Sequence, residues 1–330
     1  EKKNRHQTSP PAIPIPMATS TPTVDAKKQT LQVAGPFVIK ENGIYRMYYK
    51  EQLREGRPHI STATSKDGIV WEKYSGNPII TPGKGNAWDA NRAGSGSYLK
   101  KDGSYMLWYT GFNKEGIPAI GHATSKDGIN WQKHKASPVL KASSSGWDST
   151  AVIAPRVIYD DEKKMFKMWY RGKKRSKEKG GNEHAIGYAT SKDGVKWEKF
   201  NGNPVLSPGK NNEWDAGSFV GDPAVIKING EYRMWYCNMT EKNGLEIKET
   251  GYATSMDGVK WEKHKASPVL KRSKTGWDSI EAANIFVLFD EGIYKLWYKG
   301  SDGKIDSIGY ATSKDGVKWE KYGGNPVLSP

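Results

Sequence analysis

The sequence predicts an all-β chain in which one four-stranded antiparallel unit is repeated five times, and three observations predict it. The frame ATSxDGxxW occurs five times, beginning at Ala63, Ala123, Ala189, Ala253 and Ala311, with spacings of 60, 66, 64 and 58 residues. Self-similarity at a period near sixty marks one supersecondary unit repeated round an axis or along a solenoid. Short runs of β-branched and aromatic residues lie between Asn-Gly and Asp-Gly pairs, which supply the positive φ that tight hairpin turns require. No stretch keeps a helical period, and no apolar run approaches the roughly eighteen residues of a membrane helix.

The unit is clearest over residues 222–270. An apolar run at 223–228 (PAVIKI) is predicted as strand A, and Asn229-Gly230 turns it into strand B at 232–236 (YRMWY). A variable loop leads to strand C at 250–255 (TGYATS), and Asp257-Gly258 turns that into strand D at 259–264 (VKWEKH). Laid over the chain, this unit starts strand A near Phe37, Tyr98, Val157, Val225 and Val287. Four-stranded sheets at this spacing predict a five-bladed β-propeller folding as one unit over 31–330. Its blades fall near 31–86, 87–145, 146–212, 213–275 and 276–330. The first blade owns its strand A and the last its strand D (317–322), so closure without strand exchange is expected.

The repeats also say where function does not lie. All 13 tryptophans are repeat positions: five end the ATSxDGxxW frame, four (Trp108, Trp169, Trp235, Trp297) sit in strand B, and four (Trp88, Trp147, Trp214, Trp277) precede Asp. Aromatic rings are platforms for sugars, but rings present in every blade read first as packing between sheets. The same holds for Asp67, Asp127, Asp193, Asp257 and Asp315, each before Gly in a tight turn, and for Asp89, Asp148, Asp215 and Asp278 after Trp. A catalyst is needed once per ring, so the places to look are those where the blades differ.

Composition sets further bounds. The net charge is +15, of which Lys2, Lys3, Arg5, Lys27 and Lys28 against Glu1 and Asp25 supply +3 before the propeller begins. A denser run, Arg171, Lys173, Lys174, Arg175, Lys177 and Lys179, has the charge to attract phosphate, an anionic glycan or nucleic acid, yet reads first as a solvated loop. No nucleic-acid motif accompanies it. The single cysteine, Cys237, excludes an intrachain disulfide and a Cys-based zinc site. It ends strand B of the fourth blade, where the others carry Lys50, Thr110, Arg171 and Lys299. The 6 histidines show no ligand spacing. Residues 1–30, rich in Pro, Thr and Ser from Gln7 to Val24, read as an extended linker of the kind that tethers an exported domain, so a secreted or cell-surface location is expected.

The succession YxMWY, IGYATSKDGVKWEK and GNPVL resembles the blade of the five-bladed glycosidase propellers. That clan includes the arabinanase and β-xylosidase, invertase and levansucrase, and β-mannoside phosphorylase families. The resemblance covers nearly all of 31–330. It implies a pocket on the axis where strands A begin, and in the hydrolases three acids drawn from different blades. Cleaving a glycoside needs one carboxyl group to protonate the leaving oxygen and another to activate water or attack. At the equivalent place before strand A stand Gly35, Ser95, Ala154, Asp222 and Asn284, one of them acidic. Asp222 is therefore the candidate acid or base, its Asp-Pro pair resembling the clan's, and a turn-capping Asp is the plainer alternative. Glu281 is the nearest second acid, in the D-to-A connection, three residues short of Asn284. The hydrolytic triad is not visible. The phosphorylase relatives need only one protein acid, with phosphate held by basic groups, and Arg92, Arg156 and Arg171 are the candidates beside Asn284. Partners expected are an oligo- or polysaccharide, anionic ones included, or phosphate. No cofactor is expected; axial calcium occurs in the clan, but no ligand set is assignable. A propeller that kept the scaffold and binds glycan or protein without catalysis is the second reading.

Overall fold

The computed structural model describes residues 30–330 apart from 54–55, 176–181, 211–212 and 243. The linker over residues 1–29, and Lys177 and Lys179 of the basic run, lie outside the described residues. All described regular structure is strand, without helix. The first unit holds β1 (Thr30–Glu41), β2 (Ile44–Leu53), β3 (His59–Ser65) and β4 (Glu72–Lys73). The second holds β5 (Arg92–Lys101), β6 (Ser104–Phe112), β7 (Pro118–Ser125) and β8 (Trp131–Lys133). The third holds β9 (Ala151–Asp160), β10 (Met165–Arg175), β11 (Asn182–Ser191) and β12 (Glu198–Lys199). The fourth holds β13 (Val220–Ile228), β14 (Glu231–Lys242), β15 (Leu245–Ser255) and β16 (Glu262–Lys263). The fifth holds β17 (Glu281–Asp290), β18 (Ile293–Ser301), β19 (Asp306–Ser313) and β20 (Glu320–Lys321). Within each unit the four strands pair antiparallel in chain order.

Two expectations about strand length are corrected. Each first strand begins five to seven residues before the predicted start, because a β-bulge carries the pairing through the Gly, Pro and positive-φ residues that interrupt the pattern. Glu281 accordingly opens β17 instead of lying in a connection. The fourth strands are shorter than predicted: β16 is Glu262–Lys263, against 259–264. The turn consumes the missing ladder. Asp257 Oδ1 accepts the backbone N–H of Val259 and of Lys260, and Ser255 Oγ bonds Asp257 and Gly258, an arrangement present in all five units.

The repeated aromatics join one unit to the next. Trp108 Nε1 donates to Gly194 O, Trp169 to Gly258 O, Trp235 to Gly316 O and Trp297 to Gly68 O, at 2.7–2.8 Å. In the first unit Tyr48 takes the place of Trp and donates through its hydroxyl to Gly128 O. Each bond runs from one unit to the following one, and the fifth returns to the first. The four Trp-Asp pairs serve inside the units. Trp88 lies against Gly111 and Gly121, where an added Cβ would come within 2.3 Å of the indole, so both glycines are fixed by packing. Asp89, Asp148, Asp215 and Asp278 are buried, each bonded to a tyrosine hydroxyl (Tyr109, Tyr170, Tyr236, Tyr298) and a lysine (Lys133, Lys199, Lys263, Lys321). Burial without such partners would cost several kcal/mol per carboxylate. The partners of these acids are lysines, and none of the three candidate arginines pairs with them.

Candidate active site

Every first strand is bulged at a corresponding place, between Ala34 and Phe37, Gly94 and Gly96, Ile153 and Arg156, Gly221 and Ala224, and Ala283 and Phe286. The bulges hold the positions aligned from sequence. Gly35, Ala154, Asp222 and Asn284 all have positive φ, of 60°, 52°, 49° and 55°. Asp and Asn tolerate this left-handed geometry better than most residues, whereas Ala154 occupies it at a cost of about 1–2 kcal/mol. Keeping the bend at that expense turns the following residues of all five strands to a common centre.

One cavity of about 40 Å³ lies there, lined from every unit: Phe37 of β1, Gly96 of β5, Arg156 of β9, Asp222 of β13 and Asn284 of β17. Three of the six candidate residues, Arg156, Asp222 and Asn284, are thereby brought together. Arg156 crosses the centre. Its guanidinium carbon sits 4.7 Å from the ring of Phe37 and 4.7 Å from that of Phe286, and Nε donates to Val225 O at 3.0 Å. Burial pushes this guanidinium down to about 9, which leaves it charged at neutral pH.

Arg171 joins the group from the side. Its Nη1 donates to Asp222 Oδ1 at 2.9 Å, its guanidinium lies over the Phe219 ring, and its stem packs on Gly221, where a Cβ would come within 2.3 Å of Cδ. Glu281 and Arg92 do not line the cavity. Glu281 is buried and committed to lysines, Oε2 lying 2.9 Å from Lys299 Nζ and 3.4 Å from Lys248 Nζ. Arg92 lies over the ring of Phe112, and burial lowers its guanidinium. Cys237 is buried and its thiol is pushed well up, first by burial and then by the charges of Asp222 and Glu281. An inert thiol follows, and no nucleophile.

Sequence does not single out Lys50, Lys248 and Lys299 as site residues, although Lys50 and Lys299 occupy the second-strand position where the five units differ, which the structure places inside β2 and β18 and not at their ends. Lys50 donates to Gln32, and burial, with Lys299 and Arg92 adding repulsion, pushes its ammonium down to about 8. The calcium that the family resemblance allows on the axis does not fit. A hard dication takes six or more oxygen ligands, whereas the centre presents a guanidinium, two phenyl rings and one carboxylate already bonded to Arg171. Among the described residues no cluster of His, Cys, Asp and Glu is placed to hold a metal.

Comparison with known proteins agrees with this architecture. Uncharacterized protein MT1551 of Mycobacterium tuberculosis (strain CDC 1551 / Oshkosh) is 29% identical over 248 residues, 72% of this chain and 78% of its own. The 1,2-beta-oligomannan phosphorylase of Thermoanaerobacter sp. (strain X514) is 28% identical over 136 residues, 39% of this chain and 45% of its own. A solved glycoside hydrolase superposes with a TM-score of 0.73 at 20% identity, over 88% of this chain and 88% of its own. The family model of the glycosyl hydrolases family 32 N-terminal domain matches residues 34–167 and 114–288, well over half of the sequence. The chain belongs to that glycosyl hydrolase family, as the repeated motifs and the meeting of its first strands at one cavity lead one to expect.

Proposed function

We propose that residues 31–330 form a five-bladed β-propeller of four-stranded blades closed without strand exchange, and that it cleaves a glycosidic bond in the manner of a phosphorylase. Five in-order antiparallel units and a cycle of aromatic bonds returning from Trp297 to Gly68 support the architecture. The blades divide near 31–86, 87–145, 146–212, 213–275 and 276–330.

The observation that carries the activity is that Asp222 is, among the described residues, the one acid on the axial lining, held in place by Arg171, while Glu281 is committed to Lys299 and Lys248. Hydrolysis by two carboxyl groups needs a second free acid. Phosphorolysis needs one: Asp222 passes to the glycosidic oxygen, as that bond breaks, a proton that dihydrogen phosphate supplies, and a phosphate oxygen bonds the anomeric carbon. Arg171, Arg92, Lys50 and Lys299 supply positive charge around the mouth for the phosphate, and Asn284 an amide for a sugar hydroxyl. The name of the Thermoanaerobacter relative points the same way. The sugar sits above the cavity, since 40 Å³ admits a reacting group and no ring.

Incubation with manno-, arabino-, xylo- and fructo-oligosaccharides, with and without phosphate, should give a sugar phosphate only in its presence. Asp222→Asn should lower that rate by about 10²–10⁴-fold while the melting temperature stays within a few degrees. Unchanged turnover would sink the assignment of Asp222. The small cavity favours one other reading, a propeller that binds glycan without cleaving it, because small-molecule sites usually exceed about 300 Å³. Glycan binding by the wild type with no product under either condition would establish that reading instead.

A further inference from the structure

Among the described residues, the charge at the centre of the ring has no counter-charge. Arg156 is 7% exposed, clamped between Phe37 and Phe286, and its Nη1 is buried without a hydrogen-bond partner among the described residues. The carbonyl of Val225 takes Nε but brings no charge. Asp222, the acid on the same lining, is already bonded to Arg171. Several other buried ions in this protein are paired: Lys167 with Asp160 at 2.6 Å, and Asp89, Asp148, Asp215 and Asp278 each with a lysine. An isolated buried ion costs several kcal/mol even after relaxation, and a water would satisfy Nη1 without offsetting that charge. The adjoining cavity of about 40 Å³ is larger than the roughly 10–15 Å³ needed for one water. It is far smaller than a sugar site.

We propose that Arg156 and the axial cavity bind one small monovalent anion, either a free halide-sized ion or a single carboxylate group of a ligand. The planar guanidinium offers Nη1 as donor, and the Phe37 and Phe286 rings exclude water from its faces. Monovalence follows from the single unpaired charge, and small size from the cavity. The site is the reverse in sign of an axial calcium site, and it does not depend on whether Asp222 cleaves a glycoside. Filling it completes the packing at the point where all five first strands meet, so the anion stabilises the closed ring.

The test is thermal unfolding at constant ionic strength, with chloride, bromide or formate replacing the anion of a bulky sulfonate buffer. A saturable rise in Tm of about 2–4 °C is expected for each small anion. Arg156→Met should lose that dependence and, with the buried charge gone, melt no lower than the anion-free wild type. If the variant fails to fold, bromide-soaked crystals of the wild type give the second readout, an anomalous peak within about 4 Å of the Arg156 guanidinium. Stabilisation by bromide and formate but not glucuronate assigns a free anion. Stabilisation by glucuronate and not by glucose assigns the carboxylate of an acidic sugar. Equal melting in the bulky sulfonate and in chloride, bromide, formate and glucuronate, with no bromide peak at Arg156, overturns the proposal, as does an anion dependence that survives Arg156→Met.

Discussion

Lys50 is a lysine folded among its own kind. It lies in the second strand of the first unit, donates to Gln32, and has its ammonium pushed down to about 8 by burial and by the neighbouring Lys299 and Arg92. An unfolded lysine holds its proton to about 10.4. Between about pH 8 and 10 the unfolded chain therefore binds more protons at this position, and stability from this residue rises with pH across that window. Below pH 8 the proton is bound in both states and the folded form carries the penalty in full. Urea unfolding at pH 7, 8, 9 and 9.8 should show a shallower pH slope for Lys50→Met than for the wild type. Parallel slopes would mean that the charge is relieved by some other route. At this scale the sequence reveals the odd residue out but not its partner. Asp222 stands out because four other units carry no acid at its position, and Arg156 and Asn284 stand out in the same way. Glu281 looks available until the register sets Lys248 opposite it from the preceding unit and Lys299 beside it on β18. Neither neighbour is visible from local spacing.

At the scale of elements, the four-strand unit is legible because its turns are written in Asp-Gly and Asn-Gly, and because the aromatics that bolt it to the next unit recur. The first strands were harder to delimit. Their bulges put Ala154, Asp222 and Asn284 at positive φ, and a run broken by such residues and by Pro155 and Pro223 reads as a connection even though pairing continues across it. Trp297 and Trp319 separate two roles that sequence alone merges. Trp297 is fully buried and donates across the seam to Gly68 of the first unit, whereas Trp319 is half-buried and donates to Gly316 within its own turn. Trp297→Ala should cost about 3–5 kcal/mol, the usual toll of emptying a large buried aromatic site, and Trp319→Ala clearly less. Chemical denaturation of the two variants measures the difference. Equal losses would show that the strand aromatics do not join the units more than the turn aromatics do.

For the whole molecule the question is what joins the fifth unit to the first. The fifth unit meets the first through the Trp297–Gly68 bond and one parallel bridge, Gln32 to Asp306. The fourth meets the fifth through the Trp235–Gly316 bond and the bridge Lys248 to Glu281. The two seams share this pair of contacts, although a peptide connection crosses only one of them. Non-covalent packing thus suffices at the first seam and should suffice at any other. Both ends of the described chain also come to one strand: Gln32 bridges Asp306, and Leu328 bridges Ile308, two residues further along β19. A short Gly-Ser linker can therefore join Pro330 to Thr30, with the chain reopened at the exposed Lys84–Gly85 bond between the first and second units. Such a permutant should unfold in a single transition with Tm within about 5 °C of the parent, because no buried contact is removed and the new opening is matched by the closed one. Calorimetry distinguishes the outcomes. Two separated transitions, or a fall well beyond about 5 °C, would mean that the seam between the first and second units needs its peptide link and that the five seams are not equivalent.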